Sequence, residues 1–259
     1  MPNYDEMRLA VLIDADNVPY RNIKGILEEI AIHGTPTIKR IYADWTQPTV
    51  SGWKTVLLEN AIQPIQQYSY SAGKNSTDSA MIIDAMDILY AQKVEGFCIL
   101  SSDSDFTRLA TRLREAGMKV FGFGERKTPS PFIVACNKFT YIDIIGIPKD
   151  ATAMDANNNN SQNQINDDIV ALIASSIDDV ADETGWAFLG EVGNMILKKK
   201  NDFDSRDYGY PRLKPLIASF KVFEIDGQKI KHIKTRNKKK KSPEFDPEIK
   251  GRTNKMDNI

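Results

Sequence analysis

Two stretches of the 259-residue chain place carboxylates directly after apolar runs. Leu9-Ala10-Val11-Leu12-Ile13 leads into Asp14, followed by Asp16 and Asn17, and Phe97-Cys98-Ile99-Leu100 leads into Ser101-Ser102-Asp103-Ser104-Asp105-Phe106. A third acid, Asp78, opens a helical pattern after the loop Ser71-Ala72-Gly73-Lys74-Asn75-Ser76-Thr77. Carboxylates gathered at one point repel, and a divalent cation that favours hard oxygen ligands, Mg²⁺ or Mn²⁺, removes that cost. The same residues have structural uses. Ser104 or Asp105 can cap the helix that follows, and Asp78 suits the positive end of a helix dipole. Asp84 lies about 9 Å farther along that helix at 1.5 Å per residue, too far to share one ion. With Asp87 it reads as a residue of the helix surface or of the surroundings of the site.

The elements that must position these acids alternate between strand and helix. Continuous apolar runs at 9–13 and 97–100 fit strands buried on both faces, and 37–42, 62–68 and 119–123 read as further strands. Helical spacing is seen at 22–32, 53–61, 77–92 and 105–116, with Gly34 and Gly117 as stops. Such alternation implies an α/β domain with a parallel sheet covered by helices on both faces. Ligands sit outside the carboxyl ends of the strands in such sheets. If the strands ending at Asp14 and Ser101 are neighbours, Asp14 and Asp103 or Asp105 come within a few ångströms of each other.

The chain carries 34 Lys+Arg against 35 Asp+Glu, a formal net charge of -1, which by itself gives no sign of a polyanionic partner. The charges are unevenly spread, however. From Gly227 to Lys241 there are eight basic residues and no acid, including Lys229, Lys231 and Lys234. Residues 151–166 are amide-rich with no apolar periodicity, and read as a linker between a first domain over 1–150 and a second over 167–235. A basic and then mixed-charge tail, 236–259, is expected to be mobile. No apolar run approaches the roughly 20 residues of a membrane span. The opening residues lack a signal core, and Cys98 and Cys136 lie in apolar strings, so a cytoplasmic location is expected. His33 and His232 fall outside the acidic motifs and read as ordinary surface residues.

The first region resembles the NYN domain through Ile13-Asp14-Ala15-Asp16-Asn17, Lys74-Asn75-Ser76-Thr77-Asp78 and Ser101-Ser102-Asp103-Ser104-Asp105-Phe106, in order over about residues 6–146. Ser102 stands where that family usually has Gly. The family is similar to PIN-type nucleases, with a Rossmann-like sheet and a metal site of clustered aspartates. The resemblance implies that Asp14, Asp78, Asp103 and Asp105 hold metal, that Asn17 orients a ligand or water, and that RNA is the substrate of an endoribonuclease. One or two Mg²⁺ or Mn²⁺ ions would lower the pKa of a bound water and offset phosphate charge. In-line attack would leave a 5′-phosphate and a 3′-hydroxyl. Lys74 is placed to contact a neighbouring phosphate, and Arg126 and Lys127, in a loop after a strand end, to face the same groove.

Residues 167–226 carry three helical patterns, and 222–225 and 229–233 pair as a hairpin about Asp226-Gly227, which together describe a small α+β winged helix. The string Trp186…Leu189…Val192-Gly193, Phe203, Tyr208-Gly209-Tyr210-Pro211-Arg212-Leu213-Lys214-Pro215-Leu216-Ile217 and Phe223-Glu224-Ile225 resembles the LOTUS (OST-HTH) domain. Members of that family bind RNA or protein and often accompany NYN domains. Lys198, Lys199, Lys200 and the run from Lys229 are the candidates for phosphate contact, while Phe203, Tyr208 and Phe223 read as core. Two alternatives stand beside a metal-dependent ribonuclease: a noncatalytic RNA-binding or regulatory adaptor, and a general Rossmann-type phosphoesterase or nucleotide binder. Absence of G-x-G-x-x-G and G-x-x-x-x-G-K-[ST] counts against dinucleotide and P-loop versions of the latter. RNA is the expected partner and no membrane is. A homodimer, or a protein partner held through the LOTUS module, is compatible with the sequence.

Overall fold

The computed structural model describes residues 6–68, 76–145 and 159–233, with the side chains of 76 and 159–166 excepted. Six strands, β1 (Arg8–Asp14), β2 (Thr35–Ala43), β3 (Gln63–Gln66), β4 (Gly96–Leu100), β5 (Lys119–Gly124) and β6 (Lys138–Tyr141), form one sheet. All neighbours are parallel and the order is β3-β2-β1-β4-β5-β6. The chain winds outward from β1 to β3 on one side, then returns to β4 and winds outward on the other. The two central strands are therefore those that end in acids, with Ile13 opposite Leu100.

Alternation along these strands separates two cores. Ala10 and Leu12 of β1 and Phe97 and Ile99 of β4 pack with α3 (Ser76–Tyr90), α4 (Thr107–Glu115) and α5 (Ser130–Ala135), through Met81, Ala85, Leu109, Leu113 and Phe132. Leu9, Val11 and Ile13 with Cys98 and Leu100 pack on the opposite face against α1 (Ile23–Ile30) and α2 (Trp53–Glu59). Every residue of β1 from Leu9 to Asp14 and every residue of β4 is buried, which is why both read as unbroken apolar runs. By the same period of two, Asp14 follows Leu12 onto the face covered by α3 and α4.

The second module consists of α6 (Asn159–Val180), α7 (Leu189–Lys199), α8 (Leu213–Ala218) and an antiparallel sheet ordered β7-β9-β8. Its strands are β7 (Trp186–Phe188), β8 (Phe223–Asp226) and β9 (Lys229–His232). Ile173, Ile177, Val192, Ile196, Leu216, Ile217 and Ile230 fill its core. Pairing of Asp226 with Lys229 leaves Gly227 and Gln228 as a two-residue hairpin loop, with Gly227 at φ +57°. A positive φ at the first loop position is the type II′ requirement that favours glycine.

Several elements differ from the sequence expectation. Helix α6 starts at Asn159, inside the amide-rich stretch expected to be linker, and β7 is a third strand where only a lead-in to α7 was expected. The short α5 and the edge strand β6 were not anticipated. Helix α4 begins at Thr107, preceded by a 3₁₀ turn over Ser104–Phe106. The expected mobile tail, 236–259, lies outside the described residues.

Candidate metal centre at the carboxyl edge of the sheet

Asp14 is 1% exposed, and each of its bonds comes from a neighbouring turn. Ser101 Oγ donates to Oδ2 at 2.8 Å, Asn17 Nδ2 to Oδ2 at 2.6 Å, and the Asp16 amide to Oδ1 at 3.1 Å. Burial nevertheless raises the pKa of this carboxyl above its ordinary value, the hydrogen bonds from Ser101 and Asn17 opposing it. Asp103 caps the 3₁₀ turn, its Oδ1 accepting the Asp105 amide at 2.9 Å, so the capping residue is Asp103 rather than Ser104 or Asp105. Ser102, where glycine is usual in the resembling family, is buried and its Oγ accepts the Glu125 amide at 2.9 Å. That bond ties the acidic turn to the loop after β5.

Asp78, Asp103 and Asp105 each present a carboxylate oxygen, and these atoms lie within 4.8 Å of one another. Asp78 stands in the first turn of α3 and Asp103 and Asp105 at the end of β4, so helix and strand converge on one point. Asp14 is not within that trio. Its charge still reaches Asp78, whose pKa is pushed up to about 6 by burial and then by the charges of Asp14, Asp103, Asp105 and Asp16. Repulsion of this kind is what a cation relieves, and an all-carboxylate donor set suits a hard divalent ion such as Mg²⁺ or Mn²⁺. The residues therefore fit a metal.

The raised pKa sets a pH dependence of stability. Asp78 holds its proton more tightly folded than unfolded between its ordinary 3.8 and about 6, so metal-free stability falls as pH rises through that window. Thermal melts in EDTA are expected to show Asp78→Asn matching wild type near pH 4 and exceeding it at pH 7. Equal differences at both pH values would contradict the crowding of these acids.

Other residues singled out in the sequence are placed as follows. Asp84 is held away from the trio by an ion pair with Arg40 and by the Tyr42 hydroxyl, which donates to it. Arg126 donates to Asp207 of the second module at 2.6 Å and lies 5.2 Å from the centre of the Tyr141 ring. Lys127 pairs with Glu125, Lys199 with Asp179 and Lys200 with Asp202, whereas Lys198 is exposed. Lys74 and Lys234 lie outside the described residues. His33 is not an ordinary surface residue: its ring stacks on Phe121 with centroids 4.5 Å apart, and burial with the nearby Lys138 drives its pKa down to about 4. His232 is half-buried, and among the described residues its Nδ1 has no hydrogen-bond partner. Both cysteines are buried core residues, as expected.

One set of residues had no functional signal in the sequence. Arg206 forks onto Glu29 of α1 (2.9 and 3.0 Å) and onto Asp204 (3.0 and 2.7 Å). Asn201 donates to the carbonyls of Ile133 and Cys136 at 2.7 and 2.9 Å, and its own carbonyl accepts the Phe139 amide of β6 at 3.0 Å. Tyr141 donates to Asp202 at 2.9 Å. The second module is thereby docked on the β6 edge of the sheet, and it covers a strand edge that would otherwise be open to pairing.

A doubly wound parallel sheet with acids collected between its two central strands, joined to a small α+β module, is an α/β protein of the PIN-like class. The family model for the NYN domain matches residues 8–143, more than half of the 259 residues, and the chain belongs to that family. The OST-HTH/LOTUS domain model matches residues 160–235, a span that includes nearly all of α6. A search of curated proteins finds no match. Among solved structures, the chain is similar to a protein of unknown function from Vibrio parahaemolyticus RIMD 2210633 at 21% identity, with 55% of this chain and 97% of that chain covered and a TM-score of 0.45. Among the described residues, no helix is long and apolar enough to cross a membrane.

Proposed function

We propose that the chain is a metal-dependent endoribonuclease in which the NYN domain cleaves RNA and the OST-HTH module holds it. The observation that carries the reading is the convergence of Asp78, Asp103 and Asp105 at the carboxyl edge of the sheet. Membership of a family similar to PIN-type nucleases supports the nuclease class. Asp78, Asp103 and Asp105 would hold Mg²⁺ or Mn²⁺, which when bound supplies an activated water and offsets charge on the phosphate. Asp14, fixed by Ser101, Asn17 and the Asp16 amide, adds a buried negative charge behind Asp78 and keeps the end of β1 against the end of β4. Asn17 is thereby committed to orienting Asp14 in this state.

Three carboxylates facing a polyanion would repel it, so a purely RNA-binding role gives these acids no purpose. In-line attack of water on phosphorus opposite the 3′-oxygen breaks the P–O3′ bond, and the departing 3′-oxygen takes a proton from solvent, leaving 5′-phosphate and 3′-hydroxyl ends. Incubation with 5′-labelled single-stranded RNA and end-group analysis of the fragments is expected to find those ends. RNA that is bound but left intact would instead support a noncatalytic adaptor.

A further inference from the structure

The outer face of the OST-HTH sheet carries a pattern that neither the acidic site nor the docking of the module uses. Ala187 on β7, Ile230 on β9 and Phe223 on β8 are buried in the module core, and Ile225 of β8 packs against it. Alternation therefore turns outward Trp186 and Phe188, Lys229 and Lys231, Glu224 and Asp226. Register pairs Trp186 with Lys231 and Phe188 with Lys229 directly across the β7–β9 ladder. The Lys229 ammonium lies 5.2 Å from the Phe188 ring centre and that of Lys231 5.8 Å from the Trp186 ring centre. Lys231 also donates to the Thr184 carbonyl at 2.7 Å. Phe188 is 54% exposed on the edge strand β7, so much of its ring faces solvent beside the Lys229 ammonium.

Two aromatics two residues apart on one strand stand about 6.6 Å from each other along the strand axis. A lysine flanks each ring, and Lys229 begins the stretch of eight basic residues and no acid that ends at Lys241. Outward aromatics interleaved with lysines on a sheet are what single-stranded nucleic acid requires: rings on which unpaired bases stack, and cations for the adjoining phosphates. A duplex, whose bases are already stacked and paired, offers no faces to such rings. The acids mark the limit of the surface. Glu224 and Asp226 lie on β8, opposite Lys231 and Lys229, and repel phosphate from that side. The strand is therefore confined to the β7–β9 half.

We infer that Trp186 and Phe188, with Lys229 and Lys231, form a stacking platform through which the module selects single-stranded over double-stranded RNA. The inference rests on the RNA-binding reading of the module given above, and names the residues and the form of RNA involved.

The test uses the full chain carrying Asp103→Asn, in EDTA, so that the RNA stays intact. Binding of oligo(A) and of an RNA duplex is measured for this protein and for Phe188→Ala, Trp186→Leu and Lys229→Ala added to it. Phe188→Ala is expected to weaken oligo(A) binding about tenfold, the equivalent of one lost base–aromatic stack, with the salt dependence unchanged. Lys229→Ala should instead reduce the slope of log K against log salt, by about 0.7 for single strands. Tryptophan emission of the parent should be quenched by oligo(A) and not by duplex, and the quenching should be lost in Trp186→Leu, which retains Trp45 and Trp53. Phe188 is exposed, so its truncation spares the fold; circular dichroism checks the Trp186 variant. Unchanged oligo(A) affinity in both aromatic variants, or an equal loss for duplex, would overturn the platform while leaving RNA binding intact. Failure of the parent protein to bind either RNA would overturn the RNA-binding reading itself.

Discussion

Asp103→Asn is expected to reduce RNA cleavage by about 10²–10³-fold while leaving the fold unchanged. The substitution separates the two tasks of this side chain. As a cap, Asp103 uses one oxygen to accept the Asp105 amide at 2.9 Å, and an asparagine side-chain oxygen can do the same. As a member of the acidic trio it contributes negative charge, and asparagine cannot. If capping were its whole purpose, cleavage would survive the exchange. Matched circular dichroism and thermal melts would show that the 3₁₀ turn and α4 persist, and initial rates with labelled RNA in Mg²⁺ or Mn²⁺ would give the loss. Full metal-dependent activity in Asp103→Asn would remove this residue from the site.

Arg206→Ala is expected to loosen the two domains from each other. The guanidinium satisfies two carboxylates at once, both largely buried, with Glu29 at 11% and Asp204 at 15% side-chain exposure. Its removal leaves those acids without their shared counter-charge, at a cost of about 1–3 kcal/mol, between the limits for exposed and buried pairs. Arg206→Lys should recover little, because an ammonium cannot fork onto both partners. The intact chain should unfold in one transition, and Arg206→Ala in two or at a clearly lower midpoint, as read by calorimetry. An unchanged single transition would show that the contacts of Asn201, Tyr141 and Arg126 suffice for docking.

The sequence revealed the acidic edge because β1 and β4 are buried on both faces, so each is a continuous apolar run whose end is plain. What it left conditional was whether those strands adjoin. The order β3-β2-β1-β4-β5-β6 meets that condition. Short elements escaped notice for a physical reason. The three residues of β7 and the four of β6 are too few for period-two alternation to register, and α5 has only six residues. Helix α6 was hidden in part because its first turns are asparagine-rich and carry no apolar stripe. The docking was invisible for a different reason. No motif or spacing marks Asn201 and Arg206, and only the fold brings Glu29 and the end of α5 to meet them. Similarly, His33 looked like a surface histidine until Phe121 and Lys138 were placed around it.

The most direct test of the central claim is cleavage of labelled single-stranded RNA by the purified full chain, stripped with EDTA and then supplied with Mg²⁺ or Mn²⁺. The aspartate trio predicts no cleavage in EDTA and its return on adding either ion. Cleavage that persists in EDTA, or RNA that stays intact with both ions present, would contradict it.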